Sequence, residues 1–334
     1  IITNGSKIIA EGTQTDPIIF TSSRGVKKPG DWGGLFILGD APTSKFGNVS
    51  SLNYGLRTSI YTNFSYGGDN IDSNSGILKF VRIEYAGKRT KEFGYFNGLT
   101  LAGVGKQTVI DNIMVSYSSG NSFSILGGNV ELNQLVSYKS NGNDYEFNLG
   151  TQCNINNSLA IRSPFVSSAT VSRCLNILAY TDKEETDFER DQTTVNATNL
   201  TLMNLSNDLK YDMSIGLVNE GVFVSEAAYF SIDKSVISGF NPAVMLDESI
   251  LVNQENLDRI RFSNTYFNNC KGNIFVKNQP NNDDLESWYG NRVFANVYSK
   301  GPDTETFIDS HNSKRPDFRL RINKIMATNV SIDD

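Results

Sequence analysis

TVIDNIMVSYSSGNSFSILGGNVELNQLVSYKS, residues 108–140, carries one strand phrase twice. Val115-Ser116-Tyr117-Ser118 returns as Val136-Ser137-Tyr138-Lys139, with a Gly- and Asn-rich turn and a second short apolar strand between the copies. A repeat of about 21 residues built from short strands and turns is the signature of a solenoid, whose units bury their apolar faces only by stacking on their neighbours. Side chains alternate along a strand. Val115, Tyr117, Val136 and Tyr138 should therefore share one face of adjacent parallel strands, in register.

Working outward, the same grammar recurs in both directions. SKIIAEGT (6–13), PIIFTSS (17–23) and GDWGGLFILGDAP (30–42) would make one coil. GILKFVRIEYAG (76–87), NGLTLAGVG (97–105), CNINNSLAIRS (153–163), VNATNLTLMNLS (195–206), YFSIDKSVISGF (229–240) and RIRFSNTYFNNC (259–270) continue it. With Tyr85, Tyr117, Tyr138, Ile161, Leu202, Ile237 and Phe267 as equivalent points, the steps run from about 21 to about 41 residues, and the longer steps imply loops inserted at corners. One is TDKEETDFERDQ (181–192), a charge run that reads as a solvated loop. Residues 43–75 break the rhythm with a polar, aromatic excursion, and residues 279–334 read as irregular closing rungs. The reading is all-β: a single right-handed parallel β-helix over 1–334, with corner insertions.

A solenoid adds rungs rather than radius, so 334 residues need no second core. The formal charge of -6, with no Lys/Arg block, excludes a nucleic-acid partner. Cys153, Cys174 and Cys270 are too scattered for a disulfide framework or a zinc site. Cys153 and Cys174, one rung apart, read as small apolar residues stacked in adjacent coils. No apolar run is long enough to span a membrane, and the opening residues already read as a strand, as in a mature or trimmed chain.

IIAEGTQTDPIIFTS, GDWGGLFILGDAP, YGGDNIDSNSGILKFVRIEYAG, NGLTLAGVGKQTVIDNIMVSYS and ILGGNVELNQLVSYKS together resemble the right-handed parallel β-helix proteins of Bacteroidetes-type bacteria. The resemblance covers most of residues 6–140 and implies a secreted or surface lipoprotein, at the cell exterior or outer-membrane surface. PDFRL (316–320) is similar to the closing rung of other bacterial β-helix proteins. In relatives the turns after the VSY-like strands carry acidic clusters able to hold a hard cation such as calcium. Here those positions read Gly120-Asn121-Ser122-Phe123-Ser124 and Gly142-Asn143-Asp144-Tyr145-Glu146. Asp144 and Glu146 remain, at i and i+2 on one strand face, as a two-carboxylate calcium site at best.

Catalytic signatures are missing. Hydrolases on this fold need convergent carboxylates, and lyases need a base with cationic neutralisation of a uronate. Asp283-Asp284 falls in a turn-rich stretch, Asp333-Asp334 in the tail, and His311 in a polar loop. Arg162 and Arg173 suggest a lyase groove only faintly. Gly103-Val104-Gly105-Lys106-Gln107-Thr108 fails as a phosphate loop, since its glycine spacing is wrong and strands follow. Trp32 reads as a plug over the coil. Tyr54, Tyr61, Phe64 and Tyr66 stand apart because the rung period does not explain them. Rings beside amides and carboxylates suit sugars, so Tyr54, Tyr61, Tyr66, Asp69 and Asn70 form the candidate saccharide site. The expectation is a monomeric, non-catalytic surface or secreted protein that binds glycan. A polysaccharide lyase or hydrolase, or a structural, adhesin-like protein, is the alternative.

Overall fold

The structure, a computed structural model, describes residues 1–52, 64–91, 93–165, 171–279, 282–312, 314–321 and 323–324. The chain winds as a right-handed parallel β-helix with two long sheets among the described residues, one of eight strands and one of fifteen. The narrower sheet runs Leu35–Leu38, Leu99–Ala102, Phe123–Leu126, Tyr145–Asn148, Leu175–Ile177, Val222–Val224, Val244–Leu246 and Ile274–Val276, every pair parallel. In the wider sheet most rungs supply two strands in line, such as Asn129–Asn133 followed by Val136–Tyr138.

The bend between those two strands explains the sequence's taste for asparagine. Phe80, Asn112, Gln134, Asn157, Asn199, Lys234 and Asn264 all sit there at φ near +50°, the left-handed region that asparagine tolerates best among side-chain-bearing residues. Their amides then link the rungs: Asn112 donates to Gln134 (2.7 Å) and Asn199 to Asn157 (3.1 Å). Between the sheets the inward residues form one continuous core, including Leu99, Val115, Phe123, Tyr145, Leu175, Leu202 and Ile237.

The two VSY phrases are parallel and adjacent, as the repeat requires, yet out of step by one residue. Val115 pairs with Ser137, Met114 with Val136 and Ser116 with Tyr138. A one-residue slip exchanges the faces of every side chain. Val115 is fully buried, whereas Val136 faces outward, half-buried. Inward volume sets the register, not wording. The point chosen at Tyr138 stacks on Ile161, and Leu202, Ile237 and Phe267 stack on one another one residue earlier, while Tyr85 and Tyr117 lie one residue beyond the row of Tyr138. Cys153 and Cys174 are likewise not stacked. The first sits in the wider sheet between Val130 and Val195, and the second enters the narrower one. Both thiols are free.

Insertions leave only at corners. The 43–75 excursion rises on an antiparallel stem, Ser50–Ser51 against Ser65–Tyr66. Asn48 closes its foot, accepting from the Thr43 N–H at 2.7 Å and donating to Asp69 at 2.6 Å. Among the outward residues of the first two narrower-sheet strands, Phe36, Leu38 and Ala102 are apolar, so this flank needs a cover. Leu52, Phe64 and Tyr66 supply it. Loop 181–192 meets the same foot through Lys45 and Glu185 (2.5 Å) and is anchored at Glu226, which Lys183 and Tyr180 hold down at about 2. At the far end Asp283–Tyr289 is a helix, not a turn, and its Leu285 and Tyr289 plug the open coil. The antiparallel pair Phe307–Asp309 and Asp317–Leu320 folds back on the outer face of the wider sheet. There it covers Ile161, Met203, Val236 and Tyr266 rather than adding a rung. Trp32 packs on the core and donates its indole N–H to the Glu84 carbonyl at 2.8 Å.

The register makes a sharp prediction. Val115→Asp buries an unpaired charge and should cost about 3 kcal/mol or more, against about 1 kcal/mol for Val136→Asp. Denaturant unfolding of the two variants checks it; equal losses would contradict the one-residue offset.

Candidate functional site

Each narrower-sheet strand is entered through a tight corner. The residue before the strand has its carbonyl bonded to the preceding strand's first N–H, as Gly98 is to Leu35 and Ser122 to Leu99, giving a column of Gly98, Ser122, Asp144, Cys174, Gly221 and Ala243. These residues are small because the coil wall is close: a Cβ on Gly98 would stand 2.5 Å from Val115 Cγ1. Asp144 is the exception. Its side chain turns into the coil, accepting from Ser137 Oγ at 2.5 Å and from Arg162 Nη1 at 2.9 Å. Ser137 Oγ also meets Ser122 Oγ at 2.6 Å. The same Arg162 Nη1 donates to the Gly142 carbonyl at 2.9 Å. Burial drives the Asp144 carboxyl above its ordinary value, and Arg162 and Ser137 pull it back only in part.

One position earlier, a second column holds Asn97, Asn121, Asn143 and Arg173. Each amide oxygen accepts the next rung's backbone N–H: Asn121 on Asn97 (3.2 Å), Asn143 on Asn121 (2.8 Å) and Arg173 on Asn143 (2.9 Å). The side-chain donors reach three residues forward onto the outer face of the sheet. Asn97 meets Thr100 at 3.3 Å, Asn143 meets Glu146 at 2.8 Å and Arg173 meets Asn176 at 3.1 Å. Thr100, Ser124, Glu146, Asn176 and Phe223 are register neighbours, so they form one outward row at about 4.8 Å per rung. Arg173 closes it. Its guanidinium binds Glu220 Oε1 through two nitrogens (2.6 and 2.8 Å) and lies 4.3 Å above the Phe223 ring. Asn176 in turn donates to Glu146 at 3.1 Å.

The residues singled out from sequence fare unevenly. Tyr54 and Tyr61 lie outside the described residues. Tyr66 does not face solvent: at 2% exposure it is part of the lobe's apolar underside. Asp69 and Asn70 are exposed at the foot of the lobe, where Asn70 bonds Asp40 and lines a polar cavity of about 370 Å3 with Asp72 and Lys7. Asp144 and Glu146 do not share a face. The strand begins at Tyr145, so alternation does not extend back to Asp144, which is buried against Arg162 while Glu146 looks outward. They form no joint calcium site, and no group of three metal-ligating side chains occurs among the described residues. Arg162 is interior; Arg173 is on the outer face of the narrower sheet. His311 pairs with Asp303 (3.4 Å) under the C-terminal strap. Sequence reading missed Glu220, Asn176 and Phe223. The missed signal was the forward pair repeated at rung spacing, Asn97 with Thr100, Asn143 with Glu146 and Arg173 with Asn176.

Residues 1–310 match the model of the pectate-lyase like beta helix domain. The chain belongs to that family. No curated protein and no solved structure matches it. Membership of a pectate-lyase-like β-helix family suggests a carbohydrate-related role. No helix among its described residues is long and apolar enough to cross a membrane.

The buried pair yields a prediction. Arg162→Met strands the Asp144 carboxylate and should cost about 3–5 kcal/mol at neutral pH. Because the folded carboxyl titrates above the unfolded one, the native state keeps its proton through that window and stability falls as pH rises across it. Arg162→Met widens the window. Lowering the pH to about 5, or adding Asp144→Asn, should recover part of the loss in urea unfolding. A loss that neither change relieves would show that the charge pair is not its cause.

Proposed function

We propose that the protein binds polysaccharide along the outer face of the narrower sheet without cleaving it. The observation that carries this reading is the state of its carboxylates. Glycoside hydrolysis needs one protonated carboxyl and one free carboxylate across the scissile bond. Glu220 is instead held by two nitrogens of Arg173, and Glu146 accepts from two amides. A lyase would need Arg173 free to act on the sugar, and it is committed to Glu220 and Phe223. What lies on the outer side of the sheet is a row in which Thr100, Ser124, Asn176 and Phe223 are themselves buried and Asn143, Glu146 and Arg173 are part-exposed, so the hydroxyl groups of a sugar would meet chiefly amide, carboxylate and guanidinium groups. A polymer of that size is met outside the cell, so this reading also supports an extracellular or cell-surface location. The lobe tyrosines are not needed for it.

Affinity electrophoresis in gels containing pectin, alginate, chondroitin or neutral polysaccharides should show retardation, with no new reducing ends or unsaturated products, with or without calcium. Asn176→Ala and Glu146→Ala should each weaken binding about tenfold, or about 1.4 kcal/mol. Product formation that disappears in Arg173→Ala or Glu220→Gln would replace this reading with the enzymatic one.

A further inference from the structure

Where the C-terminal strap meets the end of the wider sheet there is a cavity of about 310 Å3. The coil supplies Tyr138, at the end of one wider-sheet strand, and Leu205, just past another; the turn between the strap's two strands supplies Ser310, His311 and Pro316. Much of the wall is apolar. Tyr138 and Leu205 are half-buried against the apolar cluster under the strap, and Phe165 adds a ring that is 73% exposed.

Three polar groups on the wall are uncommitted. Ser310 is only 4% exposed, yet its hydroxyl has no hydrogen-bond partner among the described residues. Unlike orphaned core oxygens such as Thr306 Oγ1, it is not sealed off but retains accessible surface, and the cavity is what Ser310 lines. Folded proteins rarely leave so buried a polar group unmatched. Lys139 has no ion-pair partner among the described residues; its Nζ lies 5.2 Å from the centre of the Tyr138 ring. Asn207 is exposed, with its amide unbonded among the described residues. The other polar walls are spent within the fold. Ser163 Oγ accepts from the Phe165 N–H at 3.3 Å, Asn312 donates to Asp309 at 2.9 Å, and His311 pairs with Asp303.

Charge narrows the occupant further. In a chain of formal charge -6, this cavity carries a lysine and a histidine and no carboxylate, whereas the cavities at the lobe foot, beside loop 181–192, beside Arg173 and under the terminal helix carry Asp72, Glu189, Glu220 and Glu286. The wall therefore asks for an anion on a flat apolar body with one further polar atom. We propose that the cavity binds an aromatic carboxylate. The carboxylate meets Lys139 and the Ser310 hydroxyl, the ring packs on Tyr138 and Phe165, and a ring hydroxyl reaches Asn207. A sugar acid is the poorer occupant. It carries a hydroxyl on nearly every ring carbon, more than Lys139, Ser310 and Asn207 can match, and turns the rest onto Leu205 and Pro316. A bare inorganic anion satisfies the lysine but leaves the apolar walls empty. This inference goes beyond the glycan-binding reading and does not depend on it.

Calorimetric titration of the full chain with para-hydroxycinnamate, its methyl ester and galacturonate tests the site. The hydroxycinnamate should bind at least about tenfold more tightly than either of the others. Lys139→Gln should weaken it about tenfold, and Phe165→Ala, a change at an exposed ring, about fivefold, with the thermal unfolding midpoint unchanged in both. Equal affinity for the ester would show that the anion is not recognised, and equal or tighter binding of galacturonate would show that the cavity takes sugar acids; either result overturns the proposal. So does the absence of binding, or binding that neither variant weakens.

Discussion

A rung of this coil cannot satisfy its own backbone. Its N–H and C=O groups point along the axis, so each must find its partner in the rung above or below, and an unmatched one costs as much as a lost buried hydrogen bond. Most other features follow from that constraint. Strands stay short and parallel, and bends fall on residues that accept positive φ. Extra sequence can leave only where the ladder already turns, as at residues 43–75 and 181–192. The coil must also be stopped, and the helix Asp283–Tyr289 does so with Leu285 and Tyr289 inserted into the core.

The same stacking transmits chemistry from inside to outside. The corners before three successive narrower-sheet strands hold an inward residue, Gly98, Ser122 or Asp144, next to an Asn that looks along the stack, Asn97, Asn121 or Asn143. Where the inward residue is Asp144, the interior gains a charge that Arg162 must balance, and Arg162 reaches it from the end of a wider-sheet strand in the adjacent rung. The same strand end places Arg162 on the wall of a cavity that Glu220 also lines. Where the Asn column gives way to Arg173, the guanidinium turns outward and organises Glu220, Asn176 and Phe223. Interior balance and outer face share one corner.

The solenoid was legible because period and turn chemistry are local properties of the chain, visible in phrases such as residues 108–140. Register was not. Val115 and Val136 sit in identical words, but Ser137 can replace a valine inside the coil because Asp144 and Ser122 give its hydroxyl partners, and no local pattern announces that. Tyr66 misled for a related reason. Rings that interrupt a period look like display, yet Phe36 and Leu38 leave an apolar outer flank that Tyr66 and Phe64 cover. Asp144 and Glu146 looked like a pair because alternation was extended past the strand's first residue. Arg173 and Glu220 meet across 47 positions of sequence, with one full rung and its corner loops between them, so only the folded coil brings them together.

The central claim is that the outer row from Ser124 to Phe223, closed by Arg173 and Glu220, is the surface on which the protein works. Hydrogen–deuterium exchange measured by mass spectrometry, on the full chain with and without the polysaccharide that retards it most, addresses this directly. The account predicts slower exchange on binding in peptides spanning residues 141–148, 171–177 and 216–224, and little change in residues 43–75. Protection confined to residues 43–75, with those three segments unchanged, would contradict it.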